Sequence, residues 1–298
     1  MNIVIKVNDE TKNRMIDYYK DKIRDKIPPY AIFQAEEEDT IITLYQSGKC
    51  MFQGTTADVD ANMWQAVIEN DKPTEVKDEL YRSNSIGSDE VGTGDYFGPI
   101  VVTAAYVKKD DISFLESIHV KDSKKLTDDD ILKIVPKFIN KIKYKSIILG
   151  NSEYNEKYSK EVNMNKIKAI MHNKALTSLK NEIKDHLDYV IIDEFAKEDR
   201  YYNYLSDTPN PLKGITFTTK AEEKNLAVAA ASLISRYIFL KEMGKLSDYI
   251  KIPIPKGSGS NVDKIGEEIV DKYGKDKLKE VAKLNFSNTK KILKTLIF

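Results

Sequence analysis

Apolar and polar positions alternate over "NIVIKV" (2–7), the pattern of a strand with one buried face, and Asn8 or Asp9 stands where a helix cap belongs. Met15, Ile16, Tyr19 and Ile23 follow at helical spacing and predict one apolar helix face. "IPPYAIFQAEEEDTIITLYQSGKCMFQG" (27–54) reads as three strands, with turns near Glu38-Asp39 and Ser47-Gly48. "TTADVDANMWQAVIEN" (55–70) reads as a capped amphipathic helix. The predicted order is β-α-β-β-β-α, a small unit over 1–70. "DKPTEVKDELYRSN" (71–84) has a proline and no apolar periodicity, and reads as a linker.

From residue 85 the pattern changes. "IGSDE" and "IVVTAAYV" read as two strands of a hairpin joined by a glycine-rich turn. "YKSIILG" (144–150) and "YVIID" (189–193) have the apolar character of short buried strands, and "ITFTT" is a further strand. A long helix is predicted over roughly 162–184, with Ile167, Ile170, Met171, Ala175 and Leu179 on one stripe. "EEKNLAVAAASLISRYIFLKEM" (222–243) predicts a helix with a small, apolar face suited to close packing on a sheet. The C-terminus is expected to be helical. A sheet with helices on both sides predicts an α/β domain over 85–298.

The 298 residues are long enough for two modest domains, and 41% hydrophobic with 32% charged residues is an ordinary globular balance. The longest nearly apolar run, Leu226 to Ile234, is too short to span a bilayer, and the start lacks the pattern of a signal peptide. One cysteine, Cys50, excludes an internal disulfide, and with only three scattered histidines the sequence argues against a zinc site. A cytoplasmic protein is therefore expected, with any metal chemistry resting on carboxylates. The formal net charge is zero, so bulk charge does not point to nucleic acid. Within 281–298, Lys283, Lys290, Lys291 and Lys294 stand without an acid, as a phosphate-binding stretch or a solvated helix face.

The chemistry-bearing positions are acids. Asp89 and Glu90 end one predicted strand, Asp193 ends another, and Glu222 lies where a strand meets the small-faced helix. The carboxyl ends of strands are where α/β folds place ligands. Each acid alone also has an ordinary reading: a strand-end acid meets solvent, and Glu222 suits a first helical turn. Four carboxylates at one point would repel unless cations sat between them, and hard oxygen donors suit Mg²⁺ or Mn²⁺. Two such ions roughly 4 Å apart would clamp both oxygens of a phosphodiester displacement. "GTG" (Gly92, Thr93, Gly94) abuts the paired acids. It is either a hairpin device or a place where bare backbone meets a ribose 2′-hydroxyl, the group that separates RNA from DNA.

"SDEVGTGDYFGPIVVTA" (88–104), "KDSKKLT" (121–127), "YVIIDEF" (189–195) and "KAEEKNLAVAAASLISRY" (220–237) resemble, in order, the four motifs of type 2 ribonucleases H. The GTG turn, a glutamate as fourth acid, and "LYQSGKCMFQG" (44–54) in an N-terminal unit resemble the ribonuclease HIII branch. "YNEKYSKEVNMNKIKAIMHNKAL" (154–176), "PKGSGSNVD" (255–263) and "AKLNFSNTKK" (282–291) are similar to that branch as well. The resemblance implies a ribonuclease H-like catalytic domain, a mixed sheet flanked by helices, preceded by a TATA-box-binding-protein-like α+β domain that binds substrate. It implies a monomeric endonuclease that cuts the RNA strand of RNA/DNA hybrids, leaving 5′-phosphate and 3′-hydroxyl ends. No membrane or protein partner is implied. Asp89, Glu90, Asp193 and Glu222 would be catalytic and hold Mg²⁺ or Mn²⁺, with Glu223 the alternative to Glu222. Gly92, Thr93 and Gly94 would meet ribose hydroxyls, and Lys124 a phosphate. Asn163, Asn165 and His172 lie in a motif-like stretch but stay outside the predicted catalytic set.

Three rival readings are weaker. An actin-like ATPase or sugar kinase needs an Asp-x-Gly-Thr loop, and here Asp89 and Gly92-Thr93 stand one residue too far apart. A non-catalytic hybrid-binding module has no use for four acids. Ribonuclease HII-type action on a single embedded ribonucleotide is the alternative within the family.

Overall fold

A computed structural model describes residues 1–70 and 79–295. The chain divides into two compact units, Met1–Val76 and Lys77–Phe298. Of the expected linker, residues 71–78 lie outside the described residues. Its remainder belongs to the second unit: Ser83 is buried, and the Leu80 carbonyl accepts from Asn225 Nδ2 at 2.8 Å.

In the first unit, strand β1 (Asn2–Lys6) leads to helix α1 (Asp9–Tyr19), strands β2 (Ala31–Glu37), β3 (Thr40–Tyr45) and β4 (Lys49–Gly54), and helix α2 (Ala57–Asn70). Asn8 caps α1, its side chain accepting from the Thr11 N–H at 2.7 Å. The antiparallel sheet runs β1-β4-β3-β2. Phe33, Ile42, Leu44, Cys50 and Phe52 point from it into a core closed by Met15, Tyr19, Ala61 and Trp64. Trp64 Nε1 donates to the Tyr19 hydroxyl at 2.9 Å inside that core. Burial pushes the Cys50 thiol up to about 12, which makes it a packing residue and not a nucleophile. Ile23 departs from the expected helix face: α1 ends four residues earlier, and Ile23 is exposed at a bridge to Ala35. The row Val4, Met51, Thr43, Gln34 lies on the face opposite the helices, because neighbouring strand residues alternate sides.

The second unit is built on a five-stranded mixed sheet, ordered β7-β6-β5-β8-β9. Its strands are β5 (Ser85–Val91), β6 (Ile100–Val107), β7 (Lys143–Leu149), β8 (Tyr189–Asp193) and β9 (Thr216–Thr218). Its helices are α3 (Ile112–Ser117), α4 (Asp128–Phe138), α5 (Asn151–Lys157), α6 (Met164–Lys180), α7 (Glu198–Tyr204), α8 (Ala221–Lys224), α9 (Leu226–Ile250), α10 (Ser260–Tyr273), α11 (Leu278–Val281) and α12 (Ser287–Thr295). The β5–β6 hairpin is antiparallel, whereas β5–β8 and β8–β9 are parallel. β7 was expected to be buried but is an edge strand, with Ile148 45% exposed.

Helices α6 and α9 cover opposite faces of β5. Ile86 packs with Ile167, Met171 and Ala175 of α6, while Ile170 turns outward to solvent, against the expected stripe. On the other face α9 comes close enough that a Cβ on Gly87 would sit 2.3 Å from the Val228 nitrogen. The alanines of α9 and the glycine of β5 are there for that close approach. The helix expected from residue 222 is interrupted at Asn225, whose backbone is extended (φ −149°, ψ 131°). Its side chain accepts from the Ala227 and Val228 N–H groups and so starts α9 afresh.

Candidate active site

The local fold of β5 sends its two final acids to different sides. Gly87 faces α9, so Asp89, two residues on, shares that side, and Ser88 and Glu90 face α6. The parallel register Gly87↔Ile191 and Ser88↔Ile192 puts Asp89 and Asp193 at matching positions one step further along adjacent strands. Asp193 Oδ1 accepts from the Ala221 N–H at 2.9 Å, which ties the end of β8 to the start of α8. One position later Glu222 is 9% exposed, and the Glu223 side chain is 51% exposed. Of the two glutamates, Glu222 is the one turned inward.

The electrostatics of the neighbouring acids are opposed. Burial, then the Glu90 and Glu222 carboxylates, push Asp89 up to about 7, against hydrogen bonds from Ser232 and the Glu90 N–H. Burial also opposes charge on Glu90. There the hydrogen bond from His172 and the Lys168 ammonium outweigh it and hold the group at about 2. His172 is fully buried. Its Nε2 donates to Glu90 Oε2 at 2.9 Å, its Nδ1 meets the Ser88 hydroxyl at 2.8 Å, and its ring stacks on Phe195. Lys168 pairs with Glu90 Oε1 and lies 4.1 Å from the centre of the Phe195 ring. Both oxygens of Glu90 are therefore held from α6.

Lys124 pairs with Glu222, and with Glu223 at 3.3 Å, and these partners raise its own pKa. Lys121, Ser123, Lys124 and Lys125 line a surface pocket with the two glutamates. Arg236 of α9 fixes that segment by donating to the Ser123 and Leu126 carbonyls at 2.7 and 3.0 Å. Gly92 has φ +89°, and a Cβ there would sit 2.1 Å from the Pro99 carbonyl oxygen, so this glycine is needed to close the hairpin loop. Gly94 is different: it is exposed, its φ is not positive, and nothing lies within 4 Å of where its Cβ would be. Thr93 is half-buried beside it.

The structure thus brings Asp89 near Glu90 and Glu222, and aligns Asp193 with Asp89 by register. Among the described residues, no three acid, imidazole or thiol side chains are gathered into a ready cage. Two lysine ammoniums occupy the positive side of Glu90 and Glu222 instead. The donor chemistry fits a hard divalent cation: four carboxylates, with Asp89 raised far above the usual carboxylate range first by burial and then by the Glu90 and Glu222 charges. Lys168 and Phe195 are absent from the candidate residues of the sequence reading, and His172, noted there in a motif-like stretch, stood outside the predicted catalytic set. The signal was there as two polar residues four apart, Lys168 and His172, beside the apolar stripe of a core helix. A basic C-terminal stretch needs correction too. Lys283 is fully buried, and only Lys290, Lys291 and Lys294 of that set are exposed.

A mixed sheet carrying acids at the ends of adjacent central strands, with a glycine turn beside them, defines a nuclease of the ribonuclease H type. The family described as Ribonuclease HII matches residues 86–289, and a domain of unknown function, DUF3378, matches 2–77. Ribonuclease HIII of Bacillus cereus is 40% identical over 306 aligned residues, covering 99% of this chain and 98% of that protein. Its counterpart in Bacillus thuringiensis is 39% identical over the same extent. The crystal structure of Bst-RNase HIII in complex with Mn²⁺ superposes with a TM-score of 0.74 at 38% identity, covering 99% of both chains. The ribonuclease H2 of Pyrococcus horikoshii, 24% identical with a TM-score of 0.60, shares the fold over 72% of this chain. The chain belongs to the ribonuclease HIII branch of the ribonuclease HII family, a group of endoribonucleases.

Proposed function

We propose that the chain hydrolyses the RNA strand of RNA/DNA hybrids, leaving 5′-phosphate and 3′-hydroxyl ends, with Mg²⁺ or Mn²⁺ held by Asp89, Glu90, Asp193 and Glu222. The observation that carries this reading is the charge on the α9 side of β5. Asp89 is buried beside Glu90 and Glu222, the Arg236 guanidinium acts on it only through space, and its proton is retained to about pH 7. Divalent ions there would supply Lewis-acid stabilisation of the charge that develops on the phosphate oxygens. The Mn²⁺ complex of a relative 38% identical over nearly the whole chain supports the choice of a divalent cation.

The chain's own residues then have separable tasks. His172 and Lys168 hold Glu90 ionised and fix both of its oxygens. The Ala221 N–H orients Asp193. Lys124 is 58% exposed in its side chain, can exchange its glutamate partners for a phosphate oxygen, and would place the strand beside Glu222. The open backbone of Thr93 and Gly94 contacts ribose 2′-hydroxyls, which limits cleavage to RNA. A water oxygen attacks phosphorus, the bond to the ribose 3′ oxygen breaks, and that oxygen leaves protonated. The first unit contains none of the four acids and adds binding surface.

The test is cleavage of an end-labelled RNA/DNA hybrid, beside duplex DNA containing one ribonucleotide, with Mg²⁺ and with Mn²⁺. Internal cuts in the RNA strand with little action on the single ribonucleotide are expected. Efficient cutting at the single ribonucleotide would move the activity to the HII type, and absence of any cleavage would end the nuclease reading.

A further inference from the structure

The hairpin loop between β5 and β6 has two halves. Residues 92–94 are the open half. Residues 95–98 are fastened to segments more than 150 residues later in the chain. The Tyr96 N–H donates to the Gly257 carbonyl at 2.8 Å, and the Gly257 N–H donates to Asp95 Oδ1 at 2.5 Å. The Gly98 N–H donates to the Val281 carbonyl at 3.0 Å, and the Lys283 N–H to the Tyr96 carbonyl at 2.8 Å. Asn151 Nδ2 adds a bond to the Gly98 carbonyl at 2.9 Å. Tyr96 and Phe97 are fully buried against Phe239, Val281, Ala282 and Ile292. "PKGSGS" and "AKLNFSNTKK", which the catalytic acids leave unexplained, supply Gly257, Ala282 and Lys283 among these partners.

At the centre lies the amine of Lys283, a residue 0% exposed. It donates to the Asp95 carbonyl at 2.8 Å and to the Gly98 carbonyl at 2.6 Å. Its contacts are main-chain oxygens, and the nearest acid, Asp95, spends its carboxylate on Gly257. Burial holds the amine down to about 7, partly offset by Asp95, and a neutral amine has two N–H groups for two carbonyls. A buried lysine that bridges two carbonyls of one loop fixes the distance between them. With Gly98 tied to Val281, that brace fixes Asp95, the residue at which the open half of the loop ends.

We infer that Lys283 is a positioning residue of the substrate turn, holding the Asp95 and Gly98 carbonyls on the C-terminal helices so that Thr93 and Gly94 are presented rigidly to the sugar backbone. The inference rests on the proposed reading of the turn, and extends it: recognition of the hybrid depends on the far C-terminal segment as well as on the motif itself. A turn that must be ordered at each encounter binds less well but reacts normally once bound.

The experiment compares full-length wild type with Lys283→Met, which keeps the length and apolar stem and removes both donors. Steady-state hybrid cleavage is expected to show KM raised about tenfold, with kcat within about threefold. A merely structural role would lower melting temperature and active fraction, reducing apparent kcat at unchanged KM, and that result overturns the inference. Amide hydrogen exchange of the free protein reads the brace without substrate. The Tyr96 and Gly98 amides should exchange faster in the variant while those of β5 do not, and unchanged exchange also overturns it. This second measurement separates the inference from the nuclease reading, which fails only if wild type does not cut hybrid. Should Lys283→Met not fold, Asn151→Ala removes the other side-chain donor to Gly98 and carries the same two outcomes.

Discussion

Asp89 and Glu90 are joined by one peptide bond and live in opposite electrical surroundings. On the α6 side, Glu90 meets His172 and Lys168 and is held at about 2. On the α9 side, Asp89 is held at about 7, by burial first and then by the Glu90 and Glu222 carboxylates, with Arg236 of α9 acting on it only through space. The pleat of a strand is enough to create this difference, because successive side chains face different layers. Adjacent acids are therefore not a redundant pair. One arrives ionised and oriented; the other is kept protonated to about pH 7 by burial and by the carboxylates near it.

The largest effect expected from this contrast is on chemistry. Asp193→Asn, and Asp89→Asn likewise, should lower hybrid cleavage by about a thousandfold or more while leaving the circular dichroism spectrum unchanged. Near-normal rates from purified Asp193→Asn protein would remove Asp193 from the site.

Next is stability without metal, where the two neighbours should respond with opposite signs. Glu90→Gln leaves the buried Lys168 without its counter-charge and should cost about 3 kcal/mol in urea unfolding. Asp89→Asn removes a group whose folded pKa lies above its unfolded value. Its ionisation penalty is absent only well below the ordinary value of 3.8, grows as pH rises, and is complete above about 7. The variant should therefore gain about 1–3 kcal/mol over wild type at pH 8, with the gain shrinking toward pH 5. Equal effects at both positions would show that the two faces do not differ.

The β-α-β-β-β-α order, the hairpin with its glycine turn, and the placement of acids at strand ends were legible, because periodicity and apolar runs stopping on an acid are local signals. The compensation of Glu90 was less so. Lys168 and His172 are separated from it by about eighty residues, and only the packing of α6 on β5 brings them together. The break at Asn225 lacked a proline or glycine to announce it, and depends on a cap that also reaches Leu80 and Ser85. Lys283 read as surface charge because composition cannot show burial. Ile23 and Ile170 had the right spacing, but one helix ended early and the other presents Ile170 to solvent.

Removing the first unit should have a smaller effect than the acid substitutions, and of a different kind. Deletion of residues 1–78 keeps Leu80 and Ser83, whose packing belongs to the second unit. KM for hybrid should rise by roughly tenfold or more with kcat changed by about threefold or less, the sign of lost uniform binding. Added salt should weaken the truncated enzyme less steeply if the first unit supplied phosphate contacts, and equally if it did not.

The smallest effect should come from Gly94→Ala. Its added methyl meets open space in the free protein, so the melting temperature should not change. Hybrid cleavage should still fall about tenfold, because the methyl lies where backbone is proposed to meet the sugar. Full activity would reduce the turn to a hairpin device.

The central claim is that the α9 side of β5 carries charge awaiting a cation, and calorimetric titration of Mn²⁺ into the metal-free protein without substrate tests it most directly. Wild type should bind Mn²⁺ and release protons at pH 6.5, as Asp89 gives up its proton, and Asp89→Asn should bind at least tenfold more weakly with no such release. Equal affinity and equal proton release in the two proteins would contradict the account.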